Sequence, residues 1–280
     1  MRFKNLEDKC QYYRGLTDYR LLPNRDILVM LDGKNFSKLI KNNFKKPFDD
    51  DFIDMMNKTA QFLCENVQGC KFAYTQSDEI SLLITDYETA ETDTLFGGRL
   101  CKIQSILASM ATSEFNRWFN LYNINKYCND KISINPNWEV VQEVMKKMKL
   151  AQFDCKAWVV PSQNDAFAWF LYRQLDCVKN SKQQTAQTYL PHKQLVGHNA
   201  DEQIQMVIEK NGIDWNAFDN KYKYGRFVYK VEKQMTTTLP SGETIKYTRN
   251  KFTPVGAWDL TTEEGKIKFI EHTFKFEDNE

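Results

Sequence analysis

CKFAYTQSDEISLLIT, residues 70–85, contains two apolar runs on either side of a polar turn. Runs of this length that are rich in aromatic and β-branched residues and bounded by turn residues predict a β-hairpin. The turn from Gln76 to Glu79 therefore places Ser77, Asp78 and Glu79 at the hairpin tip. Acidic residues are common in turns. The hairpin predicts an acidic site only if a second strand brings another carboxylate to the same place.

A second strand that ends in an acidic residue lies upstream. Asp26 to Leu31 is a continuous apolar run, too short for a helix, and Asp32-Gly33 closes it. Glycine lets the chain turn sharply, so the carboxylate of Asp32 and the backbone carbonyl that follows can face one cation. Asp32 and Asp78 lie 46 residues apart, and one sheet can bring them to adjoining strand ends. Two divalent cations in phosphoryl or nucleotidyl transfer need such a pair.

The elements around these strands predict the fold class. Apolar residues at helical spacing predict one helix from Asp49 to Gly69 and another from Leu95 to Phe119. A short amphipathic helix is expected over 138–149, followed by a strand at Phe153 to Val160. The order β-α-β-β-α-(α)-β is that of a split βαβ unit, an antiparallel sheet with helices on one face. We therefore expect an α+β, polymerase-palm or ferredoxin-like core over residues 1–160.

Residues 161–280 predict a helical and β-hairpin extension integrated with this core. Ser162 opens a long helix with a pattern similar to a capping box, and Pro191 to Asn199 is the candidate linker. Another helix, two strands around a Pro-Ser-Gly turn and a short final helix follow. Cations alternate with aromatic residues in the second of these strands. The hairpin is therefore either a contact for single-stranded RNA or a half-buried ribbon with a charged outer face.

Composition limits the class of protein. The 280 residues carry 38 basic and 37 acidic side chains, so any nucleic-acid surface must be local. Seven cysteines without a Cys-x-x-Cys pair, and the absence of a signal peptide, predict reduced thiols in a cytoplasmic protein without a zinc site. No apolar run approaches the roughly 18 residues of a membrane span. His192 and His198 are expected to be ordinary surface residues.

A local positive segment follows the first acidic turn. Five lysines occur in the thirteen residues from Lys34 to Lys46, with no acidic residue among them. Such a segment suits a triphosphate or an RNA backbone. A solvated lysine face has the same composition, so the segment indicates a phosphate-binding site only in combination with the paired aspartates.

Six motifs, in this order along the chain, resemble the tRNA(His) guanylyltransferase family over about residues 8–230. They are Leu31 to Phe36, Phe44 to Pro47, Met56-Asn57, Ala73 to Ser81, Lys102 to Ser109 and Tyr172 to Cys177. The resemblance implies a polymerase-like palm that adds nucleotides in the 3′-to-5′ direction to the 5′ end of tRNA. The implied reaction passes through a 5′-adenylylated or 5′-triphosphorylated tRNA, which the 3′-hydroxyl of the incoming nucleotide attacks.

The resemblance also implies roles for individual residues. Asp32 and Asp78 would hold two Mg²⁺ ions with the carbonyl of Gly33, and Glu79 would be the third catalytic residue. The residues matched to nucleotide contacts are Gly33, Lys34, Asn35, Phe36, Ser37, Lys46, Ser77, Arg99, Lys102 and Ser105. Those matched to RNA contacts are Arg173, Lys179, Asn180 and Arg226. The implied partners are tRNA, ATP and GTP or another nucleoside triphosphate, within a homotetramer.

Some positions depart from the family pattern. Met30 stands where the family usually has Arg, and Val178-Lys179-Asn180-Ser181 stands where eukaryotic members have His-Ile-Asn-Asn. The second departure makes the chain more similar to the bacterial and archaeal guanylyltransferase-like proteins, which resemble template-dependent repairers of truncated tRNA 5′ ends. Two other functions stay open: a palm-fold nucleotide cyclase, and a tRNA-binding protein without catalytic activity.

Overall fold

The computed structural model describes residues 3–89, 91–127, 139, 142–143, 146, 149–238 and 244–274. The helix expected over 138–149 lies largely outside these residues. Within them, the centre of the molecule is a six-stranded sheet in which each pair of neighbouring strands is antiparallel. The strands are β1 (Asp26–Gly33), β2 (Cys70–Gln76), β3 (Glu79–Ile84), β4 (Phe153–Val160), β5 (Arg226–Thr238) and β6 (Thr244–Gly256).

The spatial order of the strands is β4-β1-β3-β2-β5-β6. Strands β1 to β4 therefore form the predicted palm-like unit, with β1 beside the β2–β3 hairpin. Strands β5 and β6 extend the same sheet from its β2 edge. The α+β fold class with an antiparallel palm-like sheet is confirmed.

Nine α-helices connect and cover the strands in the described part of the chain. They are α1 (Leu6–Gly15), α2 (Phe36–Asn43), α3 (Asp50–Asn66), α4 (Leu100–Tyr127), α5 (Gln163–Tyr189), α6 (His192–Leu195), α7 (Ala200–Asn211), α8 (Asn220–Lys223) and α9 (Glu263–Thr273). The helix predicted from Leu95 begins later, at Leu100. The reason is a 3₁₀ turn over Leu95–Gly98, in which Phe96 and Gly97 have positive φ angles and interrupt the helix.

Both faces of the sheet are covered, which explains why β1 is apolar along its whole length. Ile27, Val29 and Leu31 pack in one core with residues of α3 and α4. Leu28 points the other way, into a second core with residues of α5 and α9. Helices α2, α3 and α4 thus lie on one face of the palm, as predicted, and α5 and α9 of the extension cover the opposite face.

Side-chain caps set the starts of the two helices that flank the site. The Asp49 carboxylate accepts a hydrogen bond from the backbone N–H of Phe52 at 3.1 Å and begins α3. The Ser162 hydroxyl accepts one from the N–H of Asp165 at 3.2 Å and begins α5. Such caps satisfy N–H groups that have no partner within the helix. Among the described residues, no helix combines the length and apolar character that a membrane crossing requires.

Candidate active site

Four neighbouring strands align polar side chains in a row at one end of the sheet. Asp154 on β4 pairs with Asp32 on β1, Asp32 pairs with Glu79 on β3, and Glu79 pairs with Gln76 on β2. Directly paired residues of antiparallel strands have their Cβ atoms about 5 Å apart on the same face. The row therefore holds three carboxylates and an amide side by side, and Asp78 lies beside it at the hairpin tip.

Local backbone conformation presents these groups. Ser77 has a φ of 45°, in the left-handed region, and its hydroxyl donates to the Asp78 carboxylate at 2.8 Å. At the end of β1, a Cβ on Gly33 would lie 2.4 Å from the ring of Phe36, so only glycine fits there. The next N–H, of Lys34, donates to the carbonyl of Gln152 at 2.8 Å. Both turns are thus held in place by their immediate neighbours.

Asp32 and Asp78 lie at adjoining strand ends, because Asp32 pairs with Glu79, the residue that follows Asp78. Burial raises the pKa of Asp78, and the negative charge of Asp32 raises it further, against the hydrogen bond from Ser77. Burial also raises the pKa of Asp32, and the charge of Asp154 adds to this effect. The predicted approach of the β1 end to the hairpin tip is therefore what the structure has. The raised pKa values of both carboxyl groups reflect their burial first and the neighbouring negative charges second.

Glu79 has a strong partner inside the chain. The Arg173 Nε and Nη2 atoms donate to its two carboxylate oxygens at 2.8 and 2.5 Å, and both side chains are buried. Nη2 of Arg173 also donates to Asp176 at 3.0 Å. The prediction that Arg173 contacts RNA is wrong, because its guanidinium is buried and engaged by these carboxylates. Arg173 instead neutralises Glu79 within the acidic row.

Two further predicted contacts need correction. The ring of Phe36 is buried, with ring centroids of Phe115 and Phe153 at 5.2 and 5.0 Å, so it belongs to the core and only its backbone is available to a nucleotide. Arg226 is 4% exposed and therefore does not lie on an RNA-contacting surface. Lys179 and Asn180 lie exposed on α5, and their predicted RNA contacts stay predictions.

The predicted nucleotide-binding residues fall into two groups. Lys34, Asn35 and Ser37 are exposed at the start of α2, directly after Gly33, Ser77 is at the hairpin tip, and Lys46 is exposed beyond the end of α2. The second group comprises Arg99, Lys102 and Ser105, which lie exposed at the start of α4.

Contacts of α4 show how far this second group is from the row. The Thr112 hydroxyl accepts a hydrogen bond from the N–H of Phe153, the residue that pairs with Gly33. Ten residues of helix separate Thr112 from Lys102, which is about 15 Å along the axis. At the helix start, Leu100 bonds to residue Tyr19, which precedes β1. The second group thus lies at the end of α4 that is remote from Asp32.

Asp154 was not among the predicted site residues. Its signal in the sequence is an acidic residue at the start of a strand that runs antiparallel to β1, because the start of β4 must then lie beside the end of β1. Asp32 and Asp78 together with the backbone carbonyl of Gly33 form an oxygen-only donor set of the kind that hard divalent cations prefer. In the described part of the chain, no group of three or more His, Cys, Asp or Glu side chains has the arrangement of a metal cluster.

Two depressions differ in their relation to this site. A cavity of about 230 Å³ opens beside the hairpin tip and is lined in part by Phe44, Ser77 and Arg226. A larger and more open depression of about 690 Å³ lies beside Leu21 and Gln68. These residues precede β1 and β2, so the larger depression is at the opposite end of the sheet from the carboxylates. The smaller cavity is therefore the one that belongs to the candidate site.

A palm-like antiparallel sheet with aspartates at adjoining strand ends defines a nucleotidyltransferase of the palm class. The family model for tRNA(His) guanylyltransferase matches residues 7–161. The chain belongs to the tRNA(His) guanylyltransferase family and is a nucleotidyltransferase, which confirms the resemblance of the motifs.

Relatives and solved structures agree with this assignment. The chain is 27% identical over 221 residues to tRNA(His) guanylyltransferase of Neurospora crassa, covering 75% of this chain and 68% of the relative. It is 26% identical to tRNA(His) guanylyltransferase 2 of Arabidopsis thaliana, covering 80% of this chain and 39% of the relative. A bacterial tRNA(His) guanylyltransferase-like protein in complex with ATP superimposes with a TM-score of 0.74 at 28% identity, covering 95% of this chain and 98% of that one.

Proposed function

We propose that this protein is a Mg²⁺-dependent nucleotidyltransferase that adds nucleotides in the 3′-to-5′ direction to the 5′ end of tRNA. The observation that carries the proposal is the pairing of Asp32 with Glu79, which places Asp32 beside the hairpin tip that holds Asp78, at the end of a palm sheet in a chain of this family. Similar solved structures hold ATP in one case and GTP in another, which supports these nucleotides as ligands.

Asp32, Asp78 and the carbonyl of Gly33 would hold two Mg²⁺ ions. The donor set fits, because Mg²⁺ is bound by one or two carboxylates and keeps several waters and substrate phosphates. Bound ions of this kind lower the pKa of an attacking hydroxyl and neutralise the leaving phosphate. The exposed Lys34 and Lys46 supply positive charge for the phosphates.

In the proposed reaction the phosphate at the 5′ end of tRNA is first activated. ATP transfers AMP to a 5′-monophosphate and releases pyrophosphate, or the tRNA already carries a 5′-triphosphate. The 3′-hydroxyl of the incoming nucleotide then attacks the phosphorus that is bonded to the 5′ oxygen of the tRNA. AMP leaves from the adenylylated tRNA, and pyrophosphate leaves from the triphosphorylated tRNA. The role of Asp32 and Asp78 in both steps is to position the ions at the reacting phosphate.

We also propose a homo-oligomer, a homotetramer in the family pattern. Helix α1 supports this proposal because it buries none of its own side chains against the described part of the chain. Leu6 and Tyr13 on α1 are 76% and 56% exposed, and Tyr19, beyond the end of the helix, is 68% exposed. Exposed apolar side chains that form a patch are typical of protein interfaces. Light scattering on the purified protein would measure the assembly directly.

The test uses purified protein with a 5′-truncated tRNA, bearing a 5′-monophosphate or 5′-triphosphate, and labelled nucleotides. With Mg²⁺ and ATP, we expect a tRNA lengthened at its 5′ end. Asp32→Asn and Asp78→Asn should each abolish the product, while Glu209→Gln, a change of an exposed carboxylate on α7, should not. Folded protein that extends no tRNA would refute the proposal, and a product made from nucleotide without RNA would favour a cyclase.

A further inference from the structure

We propose that Arg226 determines base specificity by donating to the acceptor edge of guanine, O6 and N7, in the cavity beside the hairpin tip. The inference rests on the proposed function, because the cavity is taken to hold the base of the nucleotide to be added. The class of ligand is a 6-oxopurine nucleoside triphosphate.

The cavity has walls that suit a flat base. It is about 230 Å³, and Phe44, Phe48, Pro47 and Ile53 form its apolar side. Flat, partly apolar ligands bind in such cavities with a few polar groups setting their orientation. Phe48 stacks on Tyr222 at 4.8 Å between centroids with 15° between ring planes, which gives the cavity a rigid aromatic wall.

Arg226 is a buried cation with an unfilled donor. It is 4% exposed, its Nε donates to the Asn57 side chain at 3.1 Å, and its Nη2 has no hydrogen-bond partner among the described residues. A buried donor without an acceptor is unfavourable, more so when it is charged. The Arg226 side chain lines the cavity, so a ligand there would lie beside a guanidinium whose Nη2 is buried and unpaired among the described residues.

Nothing around Arg226 in the described chain supplies a compensating negative charge. The ionisable groups that act on it are Cys177 and Tyr74. Burial raises the pKa of the Cys177 thiol to about 11 and holds that of Tyr74 well above its usual range, so both are neutral near pH 7. Arg173, by contrast, has two carboxylate partners. Arg226 is therefore a buried guanidinium whose hydrogen bonding a ligand would complete.

The position of Arg226 fits the length of one nucleotide. Arg226 pairs with Thr75 across β5 and β2, and Thr75 lies three residues before Asp78. Three residues span at most about 10 Å, and the turn at Ser77 shortens that distance. Ser77, between them, also lines the cavity. A base at Arg226 can thus belong to a nucleotide whose phosphates reach the ions held at Asp78.

Guanidinium geometry selects among the bases. Its parallel N–H groups match the O6 and N7 acceptors of guanine. Adenine presents N7 beside an N6 amino group, which is a donor and opposes the arginine N–H. A pocket built to hydrogen-bond a substrate group discriminates strongly against an analogue that lacks it. We therefore expect O6, more than the 2-amino group, to decide affinity.

The test measures nucleotide binding by calorimetry with Mg²⁺ and without tRNA. GTP and ITP, which share O6 and N7, should bind with similar affinity, and 2-aminopurine riboside triphosphate and ATP, which lack O6, about tenfold or more weakly. Arg226→Met should remove this preference and leave the affinity for inorganic triphosphate unchanged. Arg117→Met, at an exposed position on α4, should change neither.

Replacement of a buried charge by an apolar side chain of similar length often preserves stability. If Arg226→Met does not fold, the affinities of the unaltered protein for the four nucleotides still test whether O6 determines binding. Equal affinity for ITP and 2-aminopurine riboside triphosphate would overturn the inference, as would a loss of inorganic triphosphate binding in Arg226→Met, which indicates a phosphate site. Base preference without tRNA extension would refute the proposed function alone, whereas extension activity without base preference would refute the role of Arg226 alone.

Discussion

The ion pair between Arg173 and Glu79 should contribute strongly to stability and respond unequally to removal of its two members. In Arg173→Met, Glu79 stays buried and loses its cation, and Asp32 is its paired neighbour on β1. Breaking a buried pair in this way costs about 3–5 kcal/mol. In Glu79→Gln, Arg173 keeps Asp176 at 3.0 Å and an amide oxygen to donate to. The expected cost is then about 1–3 kcal/mol.

The measurement is a double-mutant cycle of unfolding free energies. Urea unfolding at pH 7.5 of the unaltered protein, both single variants and the double variant gives the four values. Because the pair is in direct contact, the double variant should be about 2 kcal/mol more stable than additivity predicts. Comparable urea dependence of the unfolding free energy in all four proteins is required, since a chain of 280 residues can populate intermediates.

An exposed pair provides the matched control. Lys58 and Asp54 lie 2.6 Å apart on α3, with side chains 38% and 59% exposed. Their coupling energy should not exceed about 0.5 kcal/mol, because water screens exposed pairs. If Arg173→Met costs less than 1 kcal/mol, or if its cost does not exceed that of Glu79→Gln, the role of Arg173 as the neutralising partner of Glu79 is refuted.

Three further changes test the fold around the site. Gly225→Ala should destabilise the protein by about 1–3 kcal/mol in urea unfolding, since residue 225 has a φ of +82° and a Cβ would lie 2.7 Å from Tyr74; an unchanged midpoint would contradict this. Burial raises the pKa of Asp26 above its ordinary 3.8 despite the hydrogen bond from Tyr87. The folded state therefore holds this proton more tightly than the unfolded state, so the unfolding free energy should fall, relative to that of Asp26→Asn, as the pH rises above 3.8. A pH series of thermal melts on both proteins checks the sign, and a parallel pair of curves would refute it. Asn199→Ala removes the capping box of α7 and should cost about 1 kcal/mol in urea unfolding; no loss would show that packing alone holds the helix.

Local sequence patterns predicted the elements that carry the acidic pair. Each of these patterns follows from a short-range physical requirement. The apolar run of β1 reflects burial on both faces, the polar break in the hairpin reflects a turn, and the acidic start of α3 reflects a helix cap. The predicted boundaries from Asp26 and from Phe153 to Val160 agree with the strands within a few residues. Helix α2 was not predicted, because its eight residues are mostly polar and offer too short an apolar stripe.

The partners of the site could not be predicted in the same way. Arg173 and Glu79 are 94 residues apart, and their contact depends on how α5 crosses the sheet. Asp154 reaches Asp32 only through the register of β4 against β1. In the sequence, Arg173 and Arg226 look the same as arginines that contact RNA. Only their burial in the folded chain distinguishes them from exposed arginines. Register and burial are collective properties of the packed chain, which no window of neighbouring residues contains.

Charge balance explains why an arginine belongs in a site that would bind cations. Asp32, Asp78, Glu79 and Asp154 bring four negative charges when ionised, and Asp176, which also contacts Arg173, adds a fifth. Arg173 and Lys156 are the cations that act on Asp32, so five carboxylates against two cations leave an excess of about three negative charges. One divalent cation compensates most of that excess. A second ion of the proposed pair would then need ligands from the substrate, which agrees with the preference of Mg²⁺ for sharing its shell with phosphates. Without Arg173, the uncompensated excess at the row would be one charge larger.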